Sequence, residues 1–302
     1  MRLITFIVIL FCGTYLSAQY RWDYGFDLGA SNYLGDIGGK EKARRNFVSD
    51  MKMAETRWNM GGFARYKFSH LLAVKMDLSY LRIQGDDKLS SNPGRHARNL
   101  NFRNDIFSLE VTPQFTLYEN QDIGSNYRFR TAFKLYAFAG VGVFHHNPKA
   151  SFMGDWVPLQ PLHTEGVNYS LWQFDVPMGG GFYFTFKKRY RFGFEYSWRK
   201  CFTDYLDDIS GNYVNPNTLS SLGAKLANRT GELPAGAEPA STLSYFKPGA
   251  KRGDPSHKDN FMTASLNYSY VIRGKSYFYR SRYGSFFFKK TRRKARKIRA
   301  KF

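Results

Sequence analysis

The run Phe107-Ser108-Leu109-Glu110-Val111-Thr112-Pro113-Gln114-Phe115-Thr116-Leu117 decides the fold. Phe107, Leu109, Val111, Phe115 and Leu117 fall on one face, and Ser108, Glu110, Thr112, Gln114 and Thr116 on the other. A repeat of two is the signature of a β-strand whose faces meet different media. Only Pro113 interrupts it, at the cost of one ladder donor.

The same alternation recurs on both sides of this run. Upstream, Trp22, Tyr24, Phe26, Leu28 and Ala30 alternate with Asp23, Gly25, Asp27 and Gly29. Met60, Ala64, Tyr66 and Phe68 then stand opposite Asn59, Gly61, Arg65 and Lys67, and Val74, Met76, Leu78 and Tyr80 opposite Lys75, Asp77 and Ser79. Downstream, Trp172, Phe174, Val176, Met178, Phe182 and Phe184 face away from Gln173, Asp175, Gly179, Gly181 and Thr185. Phe192, Phe194, Tyr196 and Trp198 alternate with Gly193, Glu195, Ser197 and Arg199, and Met262, Ala264, Leu266, Tyr268 and Tyr270 with Thr263, Ser265, Asn267 and Ser269. The segment from Phe133 to Phe144 is apolar on both sides and broken by Gly140 and Gly142, so it reads as a strand without an assignable face. The pattern predicts an all-β fold of eight antiparallel strands.

Links after the second, fourth and sixth strands are short, whereas those after the first, third, fifth and seventh are long, polar and rich in Gly, Asn and Pro. Transmembrane β-barrels have this asymmetry, with short periplasmic turns and long extracellular loops. Trp58, Tyr80, Trp172 and Trp198 fall near one set of strand ends, and Tyr24, Tyr66, Phe68, Phe184, Phe192 and Tyr268 near the other, as two interfacial girdles require. A periplasmic β-sandwich would alternate in the same way; the girdles, the link asymmetry and the N-terminus favour the barrel.

At that N-terminus, Met1-Arg2 precedes the apolar run Leu3 to Leu10 and the small residues ending in Ala18, which reads as a secretory signal over residues 1–18. Cys12 offers a lipoprotein site, but bulky Phe11 stands where a small residue is wanted. Removal of the signal leaves Cys201 alone, so no internal disulfide can form. Residues 19–273 read as the barrel, and 274–302 as a basic periplasmic tail.

The net charge of +21 would suggest nucleic acid in a cytosolic chain. Export redirects it toward outer-membrane lipids, lipopolysaccharide phosphates or an acidic protein face, and away from nucleic acid. The tail has no acidic residue, and its densest stretch contains Lys289, Lys290, Arg292, Arg293, Lys294, Arg296 and Lys297. It reads either as a docking arm for an acidic partner or as an extension with general affinity for anionic headgroups.

An eight-stranded barrel has an interior that side chains nearly fill. Arg65, Lys67, Asp77, Glu110, Glu195 and Arg199, with Asp23, Asp27, Lys75 and Asp175, are therefore expected to form a mutually neutralising polar plug. No catalytic role, cofactor or metal is assigned. His145-His146, His163 and His257 read as solvated at the outer end, with no Ser at a spacing that marks a nucleophile and its base. The carboxylates of Thr203-Asp204-Tyr205-Leu206-Asp207-Asp208-Ile209-Ser210 read as a solvated acidic turn, calcium being the alternative.

Four segments carry a family resemblance: Leu28 to Asp36, Gly140 to Ala150, Leu159 to Gly166, and Thr203 to Val214. Together they resemble PorG, the outer-membrane barrel component of the type IX secretion system. The resemblance implies a noncatalytic anchor in a protein-export machine, associated at the periplasmic side with the ring of the lipoprotein PorK and PorN. The competing reading is an independent small barrel whose extracellular loops bind a ligand or surface.

Overall fold

A computed structural model describes residues 21–37, 53–90, 92–123, 131–233 and 245–272. The segments read above as a signal, 1–18, and as a basic tail, 274–302, lie outside the described residues. Ten strands are present among them: β1 (Trp22–Leu34), β2 (Arg57–Lys67), β3 (Leu72–Asp86), β4 (Asn101–Ile123), β5 (Thr131–Ala139), β6 (Val141–Phe152), β7 (Asp155–Pro158), β8 (Trp172–Phe186), β9 (Tyr190–Cys201) and β10 (Asn260–Val271).

They close into a ring of eight staves, all pairs antiparallel. β1 pairs with β2 and β10, β2 with β3, β3 with β4, β8 with β9, and β9 with β10. The remaining stave is β5 and β6 laid end to end. β5 pairs with β4 from Gln114 onward and with β8, while β6 pairs with the earlier part of β4 and with the start of β8. Gly140 marks the joint because a Cβ there would lie 2.2 Å from the Val111 carbonyl oxygen. β7 folds back on β6 beyond the ring, making a hairpin that projects from the long-loop end.

Short turns at residues 68–71 and 187–189 lie at one end of the ring, together with Trp22 and Val271. The described residues of the links after β1, β3 and β9, at 35–37, 53–56, 87–90, 92–100, 202–233 and 245–259, gather at the other. No helix among the described residues is long and apolar enough to cross a membrane, so the spanning surface is the outside of the ring. There Phe26, Leu28, Met76, Leu78, Phe115, Phe174 and Leu266 are exposed. Aromatic rings bound this band. Trp22, Tyr66 and Phe68 meet in series, tilted and edge-on, at the short-turn end, and Trp58 with Tyr80 and His145 with Trp172 at the other. A chain that displays this much apolar surface needs an apolar solvent around it.

The long-loop end differs from the sequence expectation in two ways. Trp198 is not part of the exposed girdle; it is buried against Leu34 and Met262. The loops, expected to be solvated, fold into a cap. Leu206 and Ile209 from the link after β9 descend onto Leu81, Ile83, Phe102, Ile106, Phe144 and Phe261 inside the outer part of the ring. The polar filling therefore stops partway along the lumen, and an apolar core closes the rest. Burial of these side chains, each worth roughly 1.5–3 kcal/mol, holds the loops down.

Candidate functional site

The inner faces of the staves bring every sequence-predicted lumen residue into one column. At the short-turn end, Asp23 receives Arg65 at 3.8 Å and also pairs with Arg191. The Arg65 guanidinium lies 5.1 Å from the Phe63 ring centre and 5.0 Å from that of Tyr183, and Lys67 and Lys134 are buried nearby. Midway, Lys75 bridges Asp77 at 3.0 Å and Glu195 at 2.8 Å, and the Tyr136 hydroxyl donates to Glu195 at 2.7 Å. Above this, Arg199 donates to Glu110 at 2.5 Å and to Thr263 at 2.8 Å, with Asp175 at 3.9 Å.

Arg199 also lies over Phe261, 5.2 Å from its ring centre, so the charged column runs directly into the apolar core. The space left among Asp27, Asn59, Lys75, Asp77, Glu110 and Glu195 is a cavity of about 10 Å³, room for about one water. A column of this kind can neutralise itself and rigidify the ring. It offers no passage for a polypeptide.

Sequence reasoning missed Lys134, Tyr136 and Phe138, because the strand carrying them is apolar on both sides. The structure turns these three side chains inward, while Leu135 and Val141 are exposed. Tyr183 and Arg191 continue the inward faces of strands already assigned and were legible from parity alone.

The cap is a second polar network, and here two expectations are corrected. The segment Thr203 to Ser210 is not a solvated acidic turn: Asp204, Asp207 and Asp208 are each no more than 2% exposed. The Tyr33 hydroxyl lies between two carboxylates, 2.6 Å from Asp207 and 2.8 Å from Asp259, and its one hydrogen is shared between them. Asp208 accepts from Thr164 and, at 2.7 Å, from Tyr169, while Arg252 pairs with Glu165 at 2.9 Å. Glu165 accepts in turn from the Ser210 and Gly211 amides, and Arg98 joins Asp87 to the Arg252 and Asp36 carbonyls. Burial pushes the Asp208 carboxyl up to about 6, against the lowering effect of Arg252, Thr164 and Tyr169.

Nor is His146 solvated. It is fully buried, 3.3 Å from Asn104 and stacked on Tyr169. Ser256, His257 and Asp254 do meet on the surface, but Ser256 and Asp254 both contact Nδ1 of His257, at 2.8 and 3.0 Å. A relay needs serine and carboxylate on opposite ring nitrogens, so this trio is not built as a catalytic triad. The cap surface also carries a cleft of about 410 Å³ whose lining includes Arg95, Tyr245, Phe246, Lys251, Asp254 and His257. The tail cations from Lys289 to Lys297 lie outside the described residues.

A closed ring of eight staves, apolar outside and ion-paired inside, defines a transmembrane β-barrel of the outer-membrane class. The chain belongs to the family described as a domain of unknown function, DUF6089, whose profile matches residues 1–228. No curated protein matches it. Among solved structures, it is similar to the attachment invasion locus protein Ail of Yersinia pestis in complex with the heparin analogue sucrose octasulfate, at 11% identity and a TM-score of 0.36 over 83% of this chain and 99% of that one. Neisserial surface protein A is similar at 7% identity and a TM-score of 0.36, over 85% of this chain and 99% of that one.

Proposed function

We propose that this outer-membrane barrel is a noncatalytic anchor of the type IX secretion machinery, docking the periplasmic PorK/PorN ring through its short-turn end and basic tail. The observation that carries this reading is the doubly closed lumen. A barrel filled by ion pairs and then by an apolar core has its two ends and its outer surface left for partners. The four segments that resemble PorG lend further support, because they meet in one place: Tyr33 bonds to Asp207, Phe144 shares an apolar cluster with Tyr33, Leu206 and Ile209, and Glu165 accepts from the Ser210 and Gly211 amides. The orientation follows the rule that short turns face the periplasm, which puts the tail on the ring's side.

The short-turn end is basic in a way that costs conformational energy. Lys187 and Lys188 have φ of 48° and 56°, where Gly and Asn are the usual choices. Cations kept at strained positions point to a use for their charge, and docking to an acidic partner surface is such a use. The cap cleft favours a second reading, in which the extracellular loops of an independent barrel bind a ligand.

Affinity purification from detergent-solubilised outer membranes separates the two. Full-length protein is expected to recover PorK and PorN, and a chain ending at Arg273 to recover less of them. Recovery of neither protein by a correctly folded full-length barrel overturns the docking role and leaves the loop-binding reading.

A further inference from the structure

The outward faces of β3, β4, β6 and β8 are layered by depth, and the strand register aligns the layers. Leu78, Leu109, Val143 and Phe174 form one row across the four staves. Two residues further out comes the row Tyr80, Phe107, His145 and Trp172. The next outward positions change character. Arg82 stands opposite Asp105, and in the row beyond it Arg103 stands opposite Lys149.

These cations are not loose surface charges. Arg82 donates to Asp105 at 2.5 Å while its guanidinium lies 5.5 Å from the Trp58 ring centre. Arg103 approaches the other Asp105 oxygen at 4.0 Å and lies 4.3 Å from the ring centre of Trp156, on the β6–β7 hairpin. One carboxylate thus fixes two arginines, each backed by an indole, and Lys149 adds a third cation beside them. The Arg82 and Arg103 side chains are 26% and 21% exposed, enough to reach a ligand.

Depth identifies the ligand. Two residues along a strand rise about 6–7 Å, so the cations stand one to two such steps above an aromatic row of the kind that marks the membrane interface. That is the level of the headgroup phosphates, and a planar guanidinium suits a phosphate oxygen pair. We propose that Arg82, Arg103 and Lys149 form a binding site for the phosphate of an outer-leaflet glycolipid whose acyl chains lie against Leu78, Leu109 and Val143. The site rests on the orientation given above and is independent of any role in secretion.

The test uses the full-length barrel in detergent, with bis-phosphorylated lipid A and dephosphorylated lipid A as probes and native mass spectrometry to count retained lipid. Wild type is expected to retain the phosphorylated form, and the R82Q/R103Q/K149Q variant to retain it roughly tenfold less or weaker still. Dephosphorylated lipid A should bind wild type no better than the phosphorylated form binds that variant. An R82K/R103K variant, which keeps the charge, is expected to fall between them and covers the case in which the triple variant fails to insert. Equal retention of both lipids by wild type, or retention unchanged in the variants, overturns the site. Displacement of bound lipid A by millimolar inorganic phosphate would make it a site for free phosphate and overturn the lipid assignment. Labelling of a Met153→Cys variant on intact cells by an impermeant maleimide is expected. Its failure would refute the orientation separately from the phosphate chemistry.

Discussion

Arg199 shows what single residues do in this barrel. Its guanidinium neutralises Glu110, with Asp175 close by, at the level where the charged column meets Phe261. Removing it leaves two carboxylates buried without a cation, and losses of this kind cost about 3–5 kcal/mol. R199M is therefore expected to lower the urea midpoint of the reconstituted barrel strongly, and R199M/E110Q/D175N to recover much of the loss. Asp208 is the corresponding residue in the cap. Its carboxyl is pushed up to about 6 from an ordinary 3.8, so the folded cap favours the protonated form. The stability this contributes is full below about pH 4 and is lost as pH rises through about 6. Amide protection factors across residues 203–211, corrected for the intrinsic pH dependence of exchange, are expected to fall over that window and to lose that dependence in D208N. The Arg199 plug was legible in the sequence but the cap was not: Asp204, Asp207 and Asp208 look there like a solvated turn, because the partners of Asp207 and Asp208 are Tyr33, Thr164, Tyr169 and Arg252, distant along the chain.

Elements were the most legible level. Strands with lipid on one side and a polar lumen on the other must alternate with a period of two, and the staves β1 to β4 and β8 to β10 read directly from that rule. The β5–β6 stave did not, for a physical reason: the side chains it turns inward include the aromatic Tyr136, Phe138 and Phe144, so both of its faces look alike in sequence. Its glycines hold the stave in place. A Cβ on Gly140 would sit 2.2 Å from the Val111 carbonyl oxygen and 2.8 Å from the Thr112 Cα, so G140V is expected to push the stave off β4 and reduce the heat-resistant folded band on a gel. The β8–β9 turn makes the opposite trade. Changing Lys187-Lys188 to Asn-Gly relieves two left-handed lysines, worth roughly 0.5–1 kcal/mol at each site, and removes two cations. The variant is expected to fold at least as stably as wild type while recovering less PorK and PorN, a combination that no loss of folding can produce.

For the whole molecule, closure is the organising fact. Eight staves leave an interior that side chains can fill, and this chain fills it twice, with ion pairs toward the short turns and with Leu81, Phe102, Phe144, Leu206 and Phe261 toward the loops. The sequence disclosed the ring and the charged half, because inward charges stand out on alternating strands. It concealed the apolar half, which depends on a loop folding back into the barrel. The measurement that tests the sealed anchor most directly is conductance of the purified full-length protein in a planar bilayer. No steady channel is expected at any moderate voltage. Stable, voltage-independent open steps would show a continuous aqueous path through the column of Arg199, Glu110 and Lys75, and would contradict the account.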